Sequence, residues 1–100
     1  MSFFRKLFGL GPKVDYKELV ANGAILIDVR TVQEFQSHKA TGSQNIPLDA
    51  INSKASKIKK LNKPVVLCCA SGMRSGSAAM ILKNKGITEV YNGGSYRKFL

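Results

Sequence analysis

The sequence predicts an α/β fold, in which one domain has a small central parallel sheet with helices on both faces. Two compact apolar runs, residues 24–29 and 65–69, have the length and aliphatic composition of strands, and each leads into a helical segment. Because neither run alternates strictly between polar and apolar residues, both strands are expected to be covered on each face. At 100 residues and 44% hydrophobic content the chain buries one modest core, which excludes a two-domain enzyme.

Helical and extended segments alternate along the chain, bounded by capping and turn residues. We predict helices over residues 15–21, 31–38, 52–62 and 75–85, and strands or short extended pieces over residues 24–29, 44–46, 65–69 and 89–91. Thr31 and Glu34 have the spacing of a capping box, which begins the second helix. Gly23 and Gly86 end the first and the last helix. Residues 92–94, an asparagine and two glycines, are expected to form a turn.

Residues 1–12 are predicted to form a short N-terminal amphipathic segment ahead of a domain that spans residues 13–100. Their apolar side chains recur at helical spacing, and we expect them to dock on the core, with a membrane surface as the alternative. Arg5 and Lys6 lie inside the apolar stretch, which does not match a secretory signal. The longest apolar run, residues 65–70, falls far short of the roughly 20 residues that cross a bilayer. We therefore predict no transmembrane segment and a cytoplasmic location.

The only two cysteines, Cys68 and Cys69, are neighbours at the end of the second apolar run. A disulfide between adjacent residues is strained and closes almost no loop, so both are expected to be reduced thiols. Successive side chains on a strand point to opposite faces, so Cys68 is expected to be a small buried side chain and Cys69 to face the following loop. Two adjacent cysteines and one histidine offer no metal-ligand spacing, and we expect neither a metal nor another cofactor.

The segment CASGMRS, residues 69–75, carries most of the chemical information. A strand ends in Cys69, a loop of small residues follows, and a helix is expected to begin near Arg74 or Ser75. Backbone N–H groups in such a loop converge on one point, and the helix N-terminus adds its partial positive charge there. A thiol at that point has its pKa lowered toward the nucleophilic thiolate. Gly72 permits the positive φ that the loop needs, and Arg74 supplies a fork for an oxyanion.

These motifs resemble those of the rhodanese family of sulfurtransferases, in its small single-domain form, over roughly residues 14–99. The similar segments are CASGMRS at 69–75 for the active-site loop, LIDVRTVQEF at 26–35 with TGSQNIPL at 41–48 for the upstream signature, and VYNGGSY at 90–96 for the closing segment. The resemblance implies that residues 13–100 form a single rhodanese-like domain.

The resemblance also implies a thiosulfate sulfurtransferase that works by double displacement. Cys69 would take a sulfane sulfur from thiosulfate or a persulfide donor, become a persulfide, and pass the sulfur to cyanide in vitro or to a thiol or protein in the cell. Asp28 and Arg30 would support the loop from the neighbouring strand end. His38 stands one position away from the family's histidine, and we expect it to be a surface residue. The residues implied to bind substrate are Ala70, Ser71, Gly72, Met73, Arg74 and Ser75.

Two other functions stay open. Counting from Cys68 gives the C-x5-R-S spacing of cysteine phosphatases and arsenate reductases, whose ring of amides holds a larger oxyanion. That motif calls for glycine where Ser71 stands and histidine where Leu67 stands, so we favour sulfur transfer. The other alternative is a rhodanese-like module that carries sulfur or binds partners without turning over a small donor.

The chain is strongly basic, with 16 Lys and Arg residues against 6 Asp and Glu and a formal net charge of +10. We define a lysine stripe along the third predicted helix and the loop after it, made of Lys54, Lys57, Lys59, Lys60 and Lys63. We interpret it as a solvated face, since no aromatic or arginine residue is interleaved with it. The alternatives are steering of thiosulfate, docking of an acidic sulfur-carrier or thioredoxin-like protein, and contact with RNA, nucleic acid being the least favoured. We expect a monomer.

Overall fold

A computed structural model describes residues 14–100 of the chain, so the predicted N-terminal segment, residues 1–12, lies outside the described residues. The described chain alternates between helices and strands, as the sequence predicts. Its elements are α1 (Tyr16–Ala21), β1 (Ile25–Asp28), α2 (Val32–Ser37), β2 (Gln44–Asn45), α3 (Leu48–Lys60), β3 (Val65–Cys69), α4 (Met73–Asn84), β4 (Val90–Ser95) and a 3-10 helix (Tyr96–Phe99).

The sheet has four strands in the order β2-β1-β3-β4, and every neighbouring pair is parallel. The predicted α/β class is therefore confirmed. The two apolar runs form the central strands β1 and β3, in which every residue is buried. Aliphatic residues dominate these strands because helices or loops cover both of their faces, which leaves no side of the strand in water.

Alternate residues of the central strands pack into two separate cores. Ile27 and Leu67 face the core that α3 and α4 cover, together with Cys69. The intervening residues face the core on the other side of the sheet, which α1 and the 3-10 helix cover; they are Leu26, Val66 and Cys68. Of the helices in residues 14–100, none combines the length and the apolar composition that a bilayer crossing needs.

The last strand differs most from the prediction. Residues 92–94 do not form a turn but continue β4 as far as Ser95. A Cβ on Gly93 would lie 2.8 Å from Val66 Cγ1 and 2.9 Å from Phe99 Cζ, so the glycine is required for close packing. Gly94 has a φ of +84° where the pairing of β3 with β4 shifts register, and it supplies the irregular backbone of that bulge.

Two helices begin earlier than the sequence predicts. Helix α3 starts at Leu48, directly after Pro47, which has no side-chain cap for the pattern to reveal. Helix α4 starts at Met73, directly after Gly72, whose left-handed backbone closes the loop behind Cys69. Both helices run back from the carboxyl edge of the sheet, so they end at the opposite edge, where Lys59 lies beside Gly86.

Candidate active site

Cys69 is the last residue of β3, and its sulfur lies inside the loop that leads to α4. The Sγ atom accepts hydrogen bonds from the N–H groups of Gly72, at 3.0 Å, and Ser75, at 3.4 Å. Its distance to the Ser75 hydroxyl oxygen is also 3.4 Å. Gly72 has a φ of +102°, which turns its N–H toward the sulfur and which a residue with a Cβ rarely adopts. Backbone donors therefore converge on one sulfur atom.

The electrostatics of the loop favour ionised Cys69. Complete burial of the side chain would by itself raise the pKa of its thiol. Hydrogen bonds to the sulfur from Ser75 and from the Gly72 N–H outweigh that penalty, so the pKa of Cys69 is lower than that of an ordinary cysteine. A thiolate is the nucleophilic form of cysteine, which makes Cys69 the candidate nucleophile of the described residues.

Cys68 is buried on the opposite face of β3, as the alternation of side chains predicts. Burial, followed by the nearby Asp28 carboxylate, raises the pKa of its thiol to about 12. Both cysteines are free thiols. Because the loop N–H groups surround Cys69, the spacing counted from Cys68 does not give Cys68 a ring of amide donors. The arrangement disfavours a phosphatase or arsenate reductase that uses Cys68.

Arg74, predicted to bind an oxyanion, is already paired with a carboxylate. Its Nη1 and Nη2 donate to the two oxygens of Glu34, at 2.7 and 3.1 Å. This bidentate bond, followed by the backbone N–H of Thr31, lowers the pKa of Glu34 to about 2. Glu34 also completes the predicted capping box of α2 with Thr31, which the structure confirms. Since the pair uses only part of the guanidinium's donor capacity, the oxyanion role of Arg74 stays a prediction.

Asp28 and Arg30 form a buried ion pair at the end of β1, with 2.8 Å between Arg30 Nη2 and Asp28 Oδ2. The Arg30 guanidinium also donates to the backbone carbonyls of Glu34, at 3.3 Å, and His38, at 2.6 Å. Arg30 therefore binds the middle of α2 and the residue that caps its C-terminus, and α2 presents the carboxylate that binds Arg74. This path of contacts is the means by which the pair would support the loop.

His38 is exposed, as predicted, but it has a partner that the sequence did not reveal. Its Nδ1 lies 3.2 Å from the hydroxyl of Tyr96, and the two rings meet edge to face. Tyr96 is buried, and the Arg30 guanidinium lies 3.7 Å from the centre of its ring. The contact joins residues 58 positions apart, a separation that no local pattern encodes.

Asn92 is the residue of the site that the sequence analysis missed. It lies on β4 beside the loop, where its Oδ1 accepts from the Ser75 hydroxyl, at 2.6 Å, and from the Gly94 N–H, at 3.0 Å. Its Nδ2 donates to the Gly72 carbonyl, at 2.9 Å. The two glycines that follow Asn92 suggested a turn, so the register of β4 was needed to place it.

The side chains of Ser71 and Met73, the other polar or long residues of the loop, make no hydrogen bond to the Cys69 sulfur. Ser71 Oγ accepts from the Met73 N–H at 3.4 Å, and the Met73 side chain is 80% exposed.

An open depression of about 560 Å³ lies next to the loop, lined by Val29, Thr31, Val32, Pro47, Leu48, Asp49 and Arg74. Within residues 14–100, no three His, Cys, Asp or Glu side chains are grouped as a metal site requires.

Residues 13–99 match the sequence model of the rhodanese-like domain. The parallel sheet, the cysteine at the end of a central strand and the loop that encloses its sulfur are all within the matched residues. The chain therefore belongs to the rhodanese-like domain family, and the predicted resemblance is confirmed.

Relatives of the chain include one uncharacterized protein and several proteins named as sulfurtransferases. This chain is 42% identical to the uncharacterized protein YqhL of Bacillus subtilis over 77 residues, which cover 76% of this chain and 60% of YqhL. It is 36% identical to the thiosulfate sulfurtransferase GlpE of Pseudomonas savastanoi, with 81% of this chain and 76% of GlpE covered. It is 35% identical to the thiosulfate sulfurtransferase PspE of Escherichia coli, with 71% and 69% covered.

Solved structures of single-domain sulfurtransferases have the same fold. A rhodanese with anions from Escherichia coli superimposes with a TM-score of 0.68 at 33% identity, over 75% of this chain and 89% of the other. The human single-domain sulfurtransferase TSTD1 gives a TM-score of 0.68 at 28% identity, over 83% of this chain and 87% of the other. The chain thus shares the architecture of these two proteins.

Proposed function

We propose that this protein is a thiosulfate sulfurtransferase in which Cys69 carries the transferred sulfur as a persulfide. One observation carries the proposal: a buried Sγ with a lowered pKa accepts hydrogen bonds from the Gly72 and Ser75 N–H groups. The thiosulfate sulfurtransferases among its relatives support the choice of reaction. In this proposal residues 13–100 act as one catalytic domain, and the free thiols favour a reducing compartment such as the cytoplasm.

The first half of the reaction charges the enzyme. The Cys69 thiolate attacks the outer, sulfane sulfur of thiosulfate and forms an S–S bond. The bond between that sulfur and the sulfonate group breaks, and sulfite leaves with the electron pair. Arg74, beside the loop, would pair with the sulfonate oxygens while the bond breaks.

The second half returns the enzyme to its starting form. Cyanide, or a thiolate of the acceptor, attacks the outer sulfur of the persulfide, and the S–S bond to Cys69 breaks. The electron pair remains on Cys69 as the thiolate, and the acceptor leaves as thiocyanate or as a new persulfide. The N–H groups of residues 70–75 would stabilise the negative charge on sulfur in both halves.

Intact-mass measurement after incubation with thiosulfate tests the proposal. We expect a mass gain of one sulfur atom, lost on addition of cyanide with formation of thiocyanate. Cys69→Ser should show no gain, while Cys68→Ser, the matched control from the same strand, should show the full gain. A gain that survives Cys69→Ser, or none in the wild type with any sulfane donor, would refute the persulfide.

A second candidate function is that of a sulfur carrier that receives sulfur from a protein and turns over thiosulfate poorly. The occupied guanidinium of Arg74 favours it, since the ion pair with Glu34 restrains the group that would bind a free anion. A related protein from Bacillus subtilis, 31% identical to this chain over 67 residues, has the name putative sulfur carrier protein YrkF. Under this function the mass gain appears with a protein persulfide donor, such as a charged thioredoxin-like protein, and not with thiosulfate.

A further inference from the structure

The hydroxyl of Ser75 lies between two groups, Asn92 Oδ1 and Cys69 Sγ, that can each accept its hydrogen. Its oxygen is 2.6 Å from Asn92 Oδ1 and 3.4 Å from Cys69 Sγ. A serine hydroxyl has one hydrogen, so it donates to one of these groups at a time. Which group receives the hydrogen determines whether Ser75 stabilises the thiol or the thiolate of Cys69.

The orientation of the Asn92 amide is fixed by its other two partners. The Gly94 N–H can only donate and the Gly72 carbonyl can only accept. The first bonds one atom of the amide and the second bonds the other, so the oxygen of Asn92 must face Gly94 and Ser75. An amide oxygen cannot donate, and the short contact with Ser75 therefore has the serine hydroxyl as its donor.

We propose that Asn92 is a positioning residue that holds the proton of the Ser75 hydroxyl away from Cys69. The oxygen of Ser75 then faces the sulfur with a lone pair and accepts the S–H of the resting thiol. When Cys69 ionises, the hydroxyl must leave a 2.6 Å bond to donate across 3.4 Å, so Asn92 and the thiolate compete for one proton. The proposal rests on the proposed function only in taking Cys69 as the nucleophile.

Removal of Asn92 changes the pKa of Cys69 in opposite directions under this proposal and under a purely structural role for Asn92. Without Asn92 the hydroxyl is free to donate to the thiolate, which lowers the pKa of Cys69. If Asn92 only braced the loop through Gly72, its removal would loosen the N–H donors and raise that pKa. The charged groups near the loop are the Arg74–Glu34 and Asp28–Arg30 pairs, Asp49 in the depression that Arg74 also lines, and Lys98, whose ammonium lies beside Gly94. The variants compared leave all of them unchanged.

The experiment measures the pKa of Cys69 from the pH dependence of alkylation by iodoacetamide, in a Cys68→Ala background that leaves one thiol. Alkylation needs no sulfur transfer, so its outcome is independent of whether the protein turns over thiosulfate. We compare the parent, Asn92→Leu, Ser75→Ala and the double variant, each checked for folding by circular dichroism.

We expect Asn92→Leu to lower the pKa of Cys69 by about 0.5–1, and the same substitution to leave it unchanged when Ser75 is already alanine. Asn92→Ser, whose side chain is too short to reach Ser75, is a second variant with the same expected sign. An unchanged or raised pKa in the folded Asn92 variants would overturn the proposal. So would an equal shift with and without the Ser75 hydroxyl.

Ser75→Ala alone keeps the proposal testable if the Asn92 variants do not fold. Because Asn92 already holds the hydroxyl proton, removal of the hydroxyl should change the pKa of Cys69 by less than about 0.5 in either direction. A rise of about one or more would mean that the hydroxyl donates to the thiolate in the intact site, and the assignment to Asn92 would be wrong.

Discussion

Cys68 and Cys69 are adjacent on one strand and are both fully buried, yet the pKa values of their thiols move in opposite directions. Cys68 faces an apolar core near Asp28, and burial raises its pKa to about 12. Cys69 faces the N–H groups of a tight loop, and its pKa is lowered. Burial alone therefore does not decide the reactivity of a cysteine; the hydrogen-bond donors that face the sulfur do.

The sharpest test of this difference replaces each cysteine in turn. Cys69→Ser should abolish thiocyanate formation from thiosulfate and cyanide, because serine offers no sulfur to carry a persulfide. Cys68→Ser should retain most of the activity, since it lies on the other face of the sheet. The measurement is the rate of thiocyanate formation by equal amounts of folded protein. An inactive Cys68→Ser with hydrolysis of a phosphate ester by the wild type would instead favour the register of a cysteine phosphatase.

The pH profile tests whether the thiolate of Cys69 limits the reaction. Below the pKa of Cys69 the thiolate fraction falls, so kcat/KM for thiosulfate should fall about tenfold for each pH unit. The midpoint should lie below the 9.0 of an unperturbed cysteine, since the pKa of Cys69 is lowered. Cys68 stays protonated up to a pH of about 12 and adds no second step. A midpoint above 9.0 would show that the loop donors do not outweigh burial.

Replacement of Arg74 tests whether this residue binds the sulfur donor or only maintains the conformation of the loop. Arg74→Ala removes a charge-assisted contact worth roughly 1.5–3 kcal/mol, so the KM for thiosulfate should rise about tenfold or more. A protein persulfide donor without a sulfonate should be affected less. Steady-state kinetics with both donors provide the comparison, and equal losses would mean that Arg74 only shapes the loop.

Glu34→Gln is the matched variant for Arg74. Glu34 is ionised throughout the assay range, since its pKa is about 2. The amide removes its charge but keeps its shape, which frees Arg74 from a strong ion pair. If the pair restrains Arg74 from thiosulfate, the KM should fall in Glu34→Gln, whereas a KM that rises as in Arg74→Ala would show that the pair orders the loop.

The lysine stripe should have the smallest effect. Its helix, α3, ends at the opposite edge of the sheet from Cys69, so screened charges there act weakly on a small anion at the loop. Replacing Lys54, Lys57, Lys59 and Lys60 with Gln should leave turnover of thiosulfate and cyanide within a small factor of the wild type. A loss of about tenfold would support steering of thiosulfate instead.

Local signals predicted much of the fold and the centre of the site. Strand β3 matches its predicted range, Thr31 and Glu34 form the predicted capping box, and Cys69 is separated from Cys68 by the alternation of a strand. Each of these features depends on residues within a few positions of one another, which is the distance over which propensity, capping and periodicity act.

The features that the sequence did not predict depend on contacts between distant residues. Gly93 continues β4 because Val66 and Phe99 press against its backbone, and nothing near Gly93 in the sequence indicates this. The carboxylate that binds Arg74 is 40 residues away, on α2. Asn92 reaches the loop only because β4 pairs with β3. Such contacts appear only once the order of the strands is known.

The complete burial of Cys69 also makes access part of the kinetics. A donor reaches Sγ only when the residues that cover it move aside, whatever the ionisation state of the thiol. Loop motions of this kind occur in nanoseconds to microseconds, and the frequency of opening sets an upper limit on the rate of charging. Selectivity then follows from size as well as from reactivity: small sulfur compounds enter through a brief opening, while bulky electrophiles are excluded from an ionised thiol.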